Sequence, residues 1–404
     1  MVQIGILGYG VVGQGIVTVL KQNKIHIEKQ AGTTVAVKRV LDKRDFSAEL
    51  GPLFTQNIDD ILNDDEIQIV AEVMGGVNPA YDYVRRALLK GKHVCTSNKE
   101  LVSKHGAELL AIASERDLNF MFEASVGGGI PVVRPINLAL TTDEIIAISG
   151  ILNGTSNYML TQMYNFGKSY DEALQEAQKL GYAEADPTAD VGGFDACRKI
   201  AILMSLATGR QVDYEDIVTE GISDIGPVDF AFARAFGFNL KAMVDGRIKG
   251  NDVYALSAPM LVHHSHPISA VSGVFNGVMV QAKATGNVMF YGQGAGQMPT
   301  AGAVITDVVD IAKHLHRHII FLWSDEKVIV RPLDDFVTRK LIRISYDNAD
   351  KLSETKSTII ELPDYPNQAA YLTEPETEKE TKTKLAGLPS GIKVERILRV
   401  YEPA

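Results

Sequence analysis

Between Ala177 and Lys199 the chain reads A-Q-K-L-G-Y-A-E-A-D-P-T-A-D-V-G-G-F-D-A-C-R-K, which places Glu184, Asp186, Asp190, Asp195 and Lys199 close together. Asp195 and Lys199 are four residues apart, so on a helix they share one face. The carboxylates precede or open that helix, where its dipole favours negative charge. Gly181 gives the preceding turn a backbone that can approach a ligand closely. Four carboxylates and one ammonium make a site for a small polar zwitterion.

The elements before this segment supply a partner for it. Val2–Leu7 is a short apolar run, Gly8-Tyr9-Gly10-Val11-Val12-Gly13 follows at once, and an apolar-periodic helix is expected from Ile16 to about Ile27. This is G-x-G-x-x-G between a strand and a helix. Gly8 allows the tight turn, Gly10 lets the backbone approach a pyrophosphate, and Gly13 lets helix and strand pack closely. The helix start at Val11 and Val12 offers unpaired N–H groups to phosphate. A nicotinamide dinucleotide is the expected cofactor. After the second strand, Thr34–Leu41, the cations Lys38, Arg39, Lys43 and Arg44 outnumber Asp42. NADP(H) is therefore expected over NAD(H), with Arg39 as a candidate contact.

A third strand is expected at Ile67–Val73, a helix at Pro79–Lys90 and a fourth strand at His93–Ser97. Ligands of open α/β sheets bind beyond the carboxyl ends of strands. Gly75, Thr96 and Lys99 lie there and are candidate contacts. A helix at Gly106–Arg116 and a fifth strand opening at Phe120–Phe122 lead to Glu123-Ala124-Ser125-Val126-Gly127-Gly128-Gly129-Ile130-Pro131. An acid followed by glycines suits a monovalent cation, Na+ or K+, held by a carboxylate and backbone carbonyls, and equally a hinge between domains.

From Ile145 the pattern turns to α+β, with a strand at Glu144–Ile151 and helices at Asn157–Met163, Tyr170–Leu180 and Arg198–Thr208. Further strands are expected at Val253–Pro259, Ser269–Phe275 and Gly277–Ala284. Val278-Met279-Val280 and Val288-Met289-Phe290 read as a sheet surface that could pair subunits into a homodimer or homotetramer. His263-His264-Ser265-His266 reads as an exposed polar turn, because no acidic or cysteine partner stands at helical spacing. The loop Gly292–Thr300, with Gly296 a cofactor candidate, precedes a helix from Ala301 to about His314 and returns the chain to the nucleotide domain. Residues 339–404 read as a small α+β unit, with strands at Lys340–Tyr346, Ala369–Thr373 and Val394–Tyr401 and a charged helix at Glu374–Leu385.

The expected fold is thus α/β: a Rossmann domain over 1–132 rejoined by about 300–320, an α+β substrate and dimerisation domain over 133–300, and a C-terminal unit over 335–404. A chain of 404 residues is too long for one core. The net charge of -10 argues against nucleic acid. Two cysteines without paired spacing exclude a disulfide framework and a cysteine zinc site. No apolar run is long enough for a membrane span, and a cytoplasmic location is expected.

At 177–199 the chain resembles the homoserine dehydrogenase family, whose signature G-Y-x-E-x-D-P-x-x-D-x-x-G-x-D-x-x-x-K is complete here from Gly181 to Lys199, preceded by Ala177. The resemblance extends to Gly8–Gly13, Asn98-Lys99, Glu123–Ile130, Asn153-Gly154-Thr155 and Gly294–Ala301. It implies reversible hydride transfer between NAD(P)H and L-aspartate 4-semialdehyde, giving L-homoserine in threonine, methionine and isoleucine biosynthesis. The aldehyde oxygen gains negative charge as hydride arrives, so an acid must stand beside it. The resemblance implies Lys199 as that acid, Lys99 as an assisting charge, Glu184 on the substrate ammonium, and Asp195 orienting the lysine or binding the substrate hydroxyl. Asp190 is expected to support the residues that touch substrate, or the loop itself, and Asp186 to form an Asx turn. Glu123, Val126, Gly128 and Ile130 match the positions that hold a sodium-like ion. The C-terminal unit resembles a reduced ACT domain of pattern βαββαβ, with one central strand missing and no glycine in its first loop. Aspartate-semialdehyde dehydrogenase is the rival reading. It needs an activated cysteine, and Cys95 and Cys197 sit in a strand and on a helix.

Overall fold

The computed structural model describes residues 1–348, 352 and 359–404. It divides into two compact units: Met1–Glu144 with Ala201–Tyr214 and Phe290–Val328, and Ile145–Ile200 with Glu215–Met289 and Ile329–Ala404.

The first unit is built on β1 (Val2–Leu7), β2 (Val35–Leu41), β3 (Phe54–Thr55), β4 (Ile67–Glu72), β5 (His93–Thr96) and β6 (Phe120–Met121). They form one parallel sheet in the order β3-β2-β1-β4-β5-β6. Strands buried on both faces read as continuous apolar runs; Ile4, Ile6, Ile69 and Val94 are fully enclosed. The order reverses beside β1, which places the ligand crevice at the end of that strand. The helix expected at Ile16–Ile27 is two helices, Val11–Gln22 and Lys24–Ala31, broken at Asn23. The first begins inside the glycine motif. The helix Gln297–Lys313 packs on it at Gly15, where a Cβ would come within 2.9 Å of the Ala301 Cβ.

The second unit carries a long mixed sheet. Its main path runs Gly286–Gln293, Phe275–Ala282, Ile145–Ile151, Phe238–Lys249, Asp252–His263, Ile392–Val400, Lys340–Tyr346, Gln368–Leu372, Ile359–Glu361. Phe238–Lys249 and Asp252–His263 form an antiparallel hairpin in continuous register. The strand expected at Ser269–Phe275 is instead a 3-10 turn, Pro267–Ala270, and a loop. The Asn157 amide donates to the carbonyls of Gly273 and Phe275, 3.0 Å each, so these groups are satisfied away from a ladder. Val278, Met279 and Val280 are buried within the unit. Of the expected subunit-pairing surface, only Val288, Met289 and Phe290 lie on a sheet-edge strand, where they are half-buried.

The C-terminal segment is not short of a strand. Ile359–Glu361 pairs antiparallel with Gln368–Leu372, and among the described residues the segment's four strands in the long sheet stand in the order fourth, first, third, second. Three residues gave too short a run to read. Of the first loop, Asp347, Asn348 and Leu352 are described, and 349–351 lie outside the described residues. The last strand pairs with Asp252–His263 at Met260↔Arg399 and Leu261↔Val400, so residues 335–404 share the sheet and the compact unit of that hairpin. Tyr401 is buried, its hydroxyl 2.7 Å from Ser149 Oγ. Tyr401→Phe leaves the Ser149 hydroxyl without that partner. It is expected to cost about 1–2 kcal/mol in a urea melt at unchanged slope.

Among the described residues no helix is long and apolar enough to cross a membrane.

Candidate active site

The helix Phe194–Thr208 begins one turn earlier than its apolar run suggests, directly after Gly193. Gly193 has φ +81°, and a Cβ there would press on Glu220 O and Ser257 Oγ, 3.1 Å each, so the turn is closed to other residues. Asp195 and Lys199 fall on one face, both buried. Lys199 Nζ donates to Asp195 Oδ2 at 2.6 Å and to the Leu152 carbonyl at 2.8 Å. The Asn153 amide donates to Asp195 Oδ2 at 2.9 Å and to Asp190 Oδ1 at 2.7 Å. Four side chains from three segments thus form one hydrogen-bonded line. Asn153 is its centre and also caps the helix Gly154–Phe166 through Ser156 N–H. No role was assigned to it from sequence, although the Asn-Gly-Thr string was visible.

The acidic loop sorts by exposure. Asp186 Oδ1 accepts the Thr188 N–H at 3.1 Å and its hydroxyl at 2.6 Å, an Asx turn. Glu184 is exposed. Gly181, at φ +75°, turns the chain out of the preceding helix with open space where a Cβ would stand. Thr155 ties this turn to its own helix by donating to the Tyr182 carbonyl at 2.6 Å.

In the first unit the glycine motif has the geometry of a dinucleotide cradle. A Cβ on Gly13 would stand 2.1 Å from the Gly8 carbonyl oxygen, while one on Gly10 meets nothing within 4 Å. The helix opens at Val11 and Val12 with no side-chain cap, so no side chain takes its first N–H groups. Asp42, just beyond β2, accepts Tyr9 N–H at 2.7 Å and the Arg44 guanidinium at 3.0 Å on each oxygen. The Arg44 guanidinium, burial notwithstanding, holds the Asp42 carboxyl down at about 2. Arg39 does not join this group: its guanidinium donates to the carbonyls of Lys38 and Pro52, 3.0 Å each. Gly75 has φ +80° and open space beside it. The Thr96 hydroxyl is committed to Glu72, so Thr96 can offer a ligand only its backbone. Lys99 opens the helix Lys99–Glu115, half-buried, and Asn98 caps that helix.

The loop after β6 departs from expectation in one respect. The Glu123 carboxylate accepts the N–H groups of Val132, Val133 and Arg134 at 2.6, 2.9 and 2.7 Å. Both of its oxygens are engaged by the start of the next helical segment, so the side chain is not an open cation ligand. Gly128 packs on the second glycine loop, where a Cβ would lie 2.5 Å from Gly294 O, and Gly129 N–H bonds Gln293 O. Gly296, at φ +122°, starts the helix Gln297–Lys313. Elsewhere His263 Nδ1 is 2.7 Å from Ser265 Oγ, and among the described residues no group of three or more His, Cys, Asp or Glu could hold a metal ion. Cys95 and Cys197 are both buried, and burial pushes both thiols up, which is the opposite of nucleophile activation.

A parallel sheet of this order with an uncapped helix at its switch point, and a buried lysine–aspartate pair in a second unit, fit the class of nicotinamide-dependent oxidoreductases. Residues 8–123 match the family model for the homoserine dehydrogenase NAD binding domain, and residues 131–309 the homoserine dehydrogenase model. The chain is 41% identical to the homoserine dehydrogenase of Bacillus subtilis over 319 residues, 78% of this chain and 73% of that protein. It is 42% identical to that of Synechocystis over 340 residues, 82% and 77% of the two chains. The crystal structure of a homoserine dehydrogenase from Thiobacillus denitrificans superposes with a TM-score of 0.91 at 34% identity, covering 99% of this chain and 98% of the other. The chain belongs to the homoserine dehydrogenase family of NAD(P)-dependent oxidoreductases.

Proposed function

We propose that Lys199 gives and takes the proton at the substrate oxygen in the interconversion of L-aspartate 4-semialdehyde and L-homoserine. The observation that carries this is the pair of bonds from Lys199 Nζ to Leu152 O and Asp195 Oδ2. An ammonium has three donors. Two fix its direction, and the third is the one given to the oxygen. The bound nicotinamide supplies or accepts the hydride. As charge grows on the aldehyde oxygen, Lys199 transfers its proton there, and in the oxidation it takes the proton back. Asp195 orients the lysine, Asn153 and Asp190 hold Asp195, and Glu184 receives the substrate ammonium beside the Gly181 turn. Lys99 assists as a second positive charge.

The cradle of Gly8, Gly10, Val11, Val12 and Gly13 would hold the dinucleotide, with Gly75, Thr96 and Gly296 contributing backbone. NADP(H) is the preferred form, through Arg44 rather than Arg39. Asp42 is already paired with Arg44 and Tyr9, which makes it a poor acceptor for a ribose hydroxyl, and the exposed Arg44 guanidinium supports the reading of a 2′-phosphate contact. A monovalent cation would be held by the backbone carbonyls of Glu123, Val126, Gly128 and Ile130, without the Glu123 carboxylate. Copies of the chain pair through the edge strand Gly286–Gln293, and the enzyme works in the cytoplasm.

The cofactor reading is tested by kcat/KM for L-homoserine oxidation with NADP+ and with NAD+. The wild-type protein is expected to favour NADP+, and Arg44→Ala to reduce that ratio at least ~tenfold, the size of one charge-assisted contact to phosphate. An unchanged ratio in Arg44→Ala contradicts it.

A further inference from the structure

Glu72 ends β4 and is wholly enclosed. One carboxylate oxygen accepts Met74 N–H at 2.7 Å and the other accepts the Thr96 hydroxyl at 2.6 Å. Its own carbonyl accepts Ser97 N–H at 3.2 Å. Thr96 Oγ1 accepts Asn98 N–H at 2.9 Å. The Asn98 amide donates to Gly76 O at 2.6 Å, and its oxygen accepts Leu101 N–H at 3.1 Å, capping the Lys99 helix. One carboxylate therefore joins the turn after β4, the end of β5 and the first turn of the helix that begins with Lys99.

The turn also rests on the glycine motif, where a Cβ on Gly8 would meet Met74 Cγ at 3.0 Å. Gly75 and Gly76 have φ +80° and +71°, with nothing within 4 Å of where a Cβ would stand on either. On that side the turn is held by hydrogen bonds, from Met74 N–H to Glu72 and from the Asn98 amide to Gly76 O. Burial pushes the Glu72 carboxyl up, against the donors from Thr96, Met74, Asn98 and Gly75. An apolar side chain here would leave the Met74 N–H and the Thr96 hydroxyl without their acceptor, so the carboxylate is what joins these segments. Misplacing a reacting group by about 1 Å can cost on the order of 100-fold in rate.

We propose that Glu72 is a positioning residue of this enzyme, fixing the Met74–Gly76 turn against the Thr96–Asn98 loop so that the nicotinamide nucleotide and Lys99 start from one defined geometry. This rests on the reading of Lys99 as an assisting charge.

The test compares Glu72→Ala, Glu72→Gln, Thr96→Val and the Glu72→Ala/Thr96→Val pair with Val84→Ala, a fully buried control on the helix Ala80–Leu89. Glu72→Gln keeps an acceptor for Met74 and turns the Thr96 bond round, the amide donating to the hydroxyl. Glu72→Ala and Thr96→Val are each expected to lower kcat at least ~tenfold. KM for L-homoserine and Kd for NADPH should stay within about threefold, and the pair should be no worse than the poorer single variant. Glu72→Gln regains most of the loss, and Val84→Ala keeps its kcat at a comparable fall in Tm. Hydrogen exchange at Met74 and Leu101 N–H speeds up in Glu72→Ala. Losses no larger than in Val84→Ala, additive losses in the pair, or unchanged exchange overturn the proposal. Should the wild-type protein fail to oxidise L-homoserine, the functional reading fails, and exchange at Met74 and Leu101 still decides whether Glu72 is the clamp.

Discussion

Lys199→Ala is expected to lower kcat for L-homoserine oxidation at least ~1000-fold, combining loss of a general acid with loss of charge at the developing oxyanion. NADPH binding should stay near wild type, since the glycine cradle belongs to the other compact unit. The alanine leaves Asp195 buried without its cation, and removing one partner of a buried pair costs about 3–5 kcal/mol. A drop in Tm would therefore confuse the rate. Lys199→Arg separates the two. Its guanidinium keeps a positive charge beside Asp195 but does not give up a proton. It should fold near wild type and still lose at least ~100-fold in kcat. Wild-type turnover in Lys199→Arg would make the residue an electrostatic one only.

Arg134→Ala is expected to destabilise the first unit by about 3–5 kcal/mol. The guanidinium lies 2.7 Å from Asp307 Oδ1 and 3.9 Å from Glu123. Its Nε is 2.7 Å from Asp310 Oδ2, a close ion pair without hydrogen-bond geometry. One cation thus serves three carboxylates, of which Asp307 and Glu123 are buried. Burial pushes both Asp307 and Glu123 up from their ordinary 3.8 and 4.5, and Arg134 pulls both down. The folded state therefore holds protons that the unfolded state releases. Stability from these groups is complete below about 4 and falls as pH rises through their raised values. Without Arg134 those values rise further, so the deficit against wild type should narrow between about pH 8 and pH 5. Urea melts at the two pH values check this. A deficit that is the same at both, or larger at the lower pH, contradicts it.

These two sites show how far sequence reaches. The segment Ala177–Lys199 announced its carboxylates and its lysine because their spacing is local, and the four-residue step from Asp195 to Lys199 requires only a helix. The glycine motif was legible for the same reason. Asn153, Glu72 and Arg134 were not. Asn153 meets Asp195 across 42 residues and Arg134 meets Asp307 across 173, and no local pattern marks either pairing. Glu72 looked like one more residue at the end of an apolar strand. Glu123 was read as a ligand because an acid before glycines suits a cation, yet its carboxylate closes a helix start eleven residues on, at Arg134. Elements whose character is set by tertiary pairing were also missed. Phe238–Lys249 and Ile359–Glu361 are strands because a neighbour pairs with them. Residues 269–274 have strand-like character but no ladder, and Asn157 takes the carbonyls of Gly273 and Phe275.

The proton-transfer role of Lys199 is most directly tested by the initial rate of nicotinamide reduction when L-homoserine is added to the purified protein with NADP+ at alkaline pH, for wild type beside Lys199→Arg. A steady rise in absorbance with the wild type, and almost none with a folded, NADPH-binding Lys199→Arg, is the predicted result. No rise in the wild type with either NADP+ or NAD+, or equal rates in the two proteins, would contradict the account.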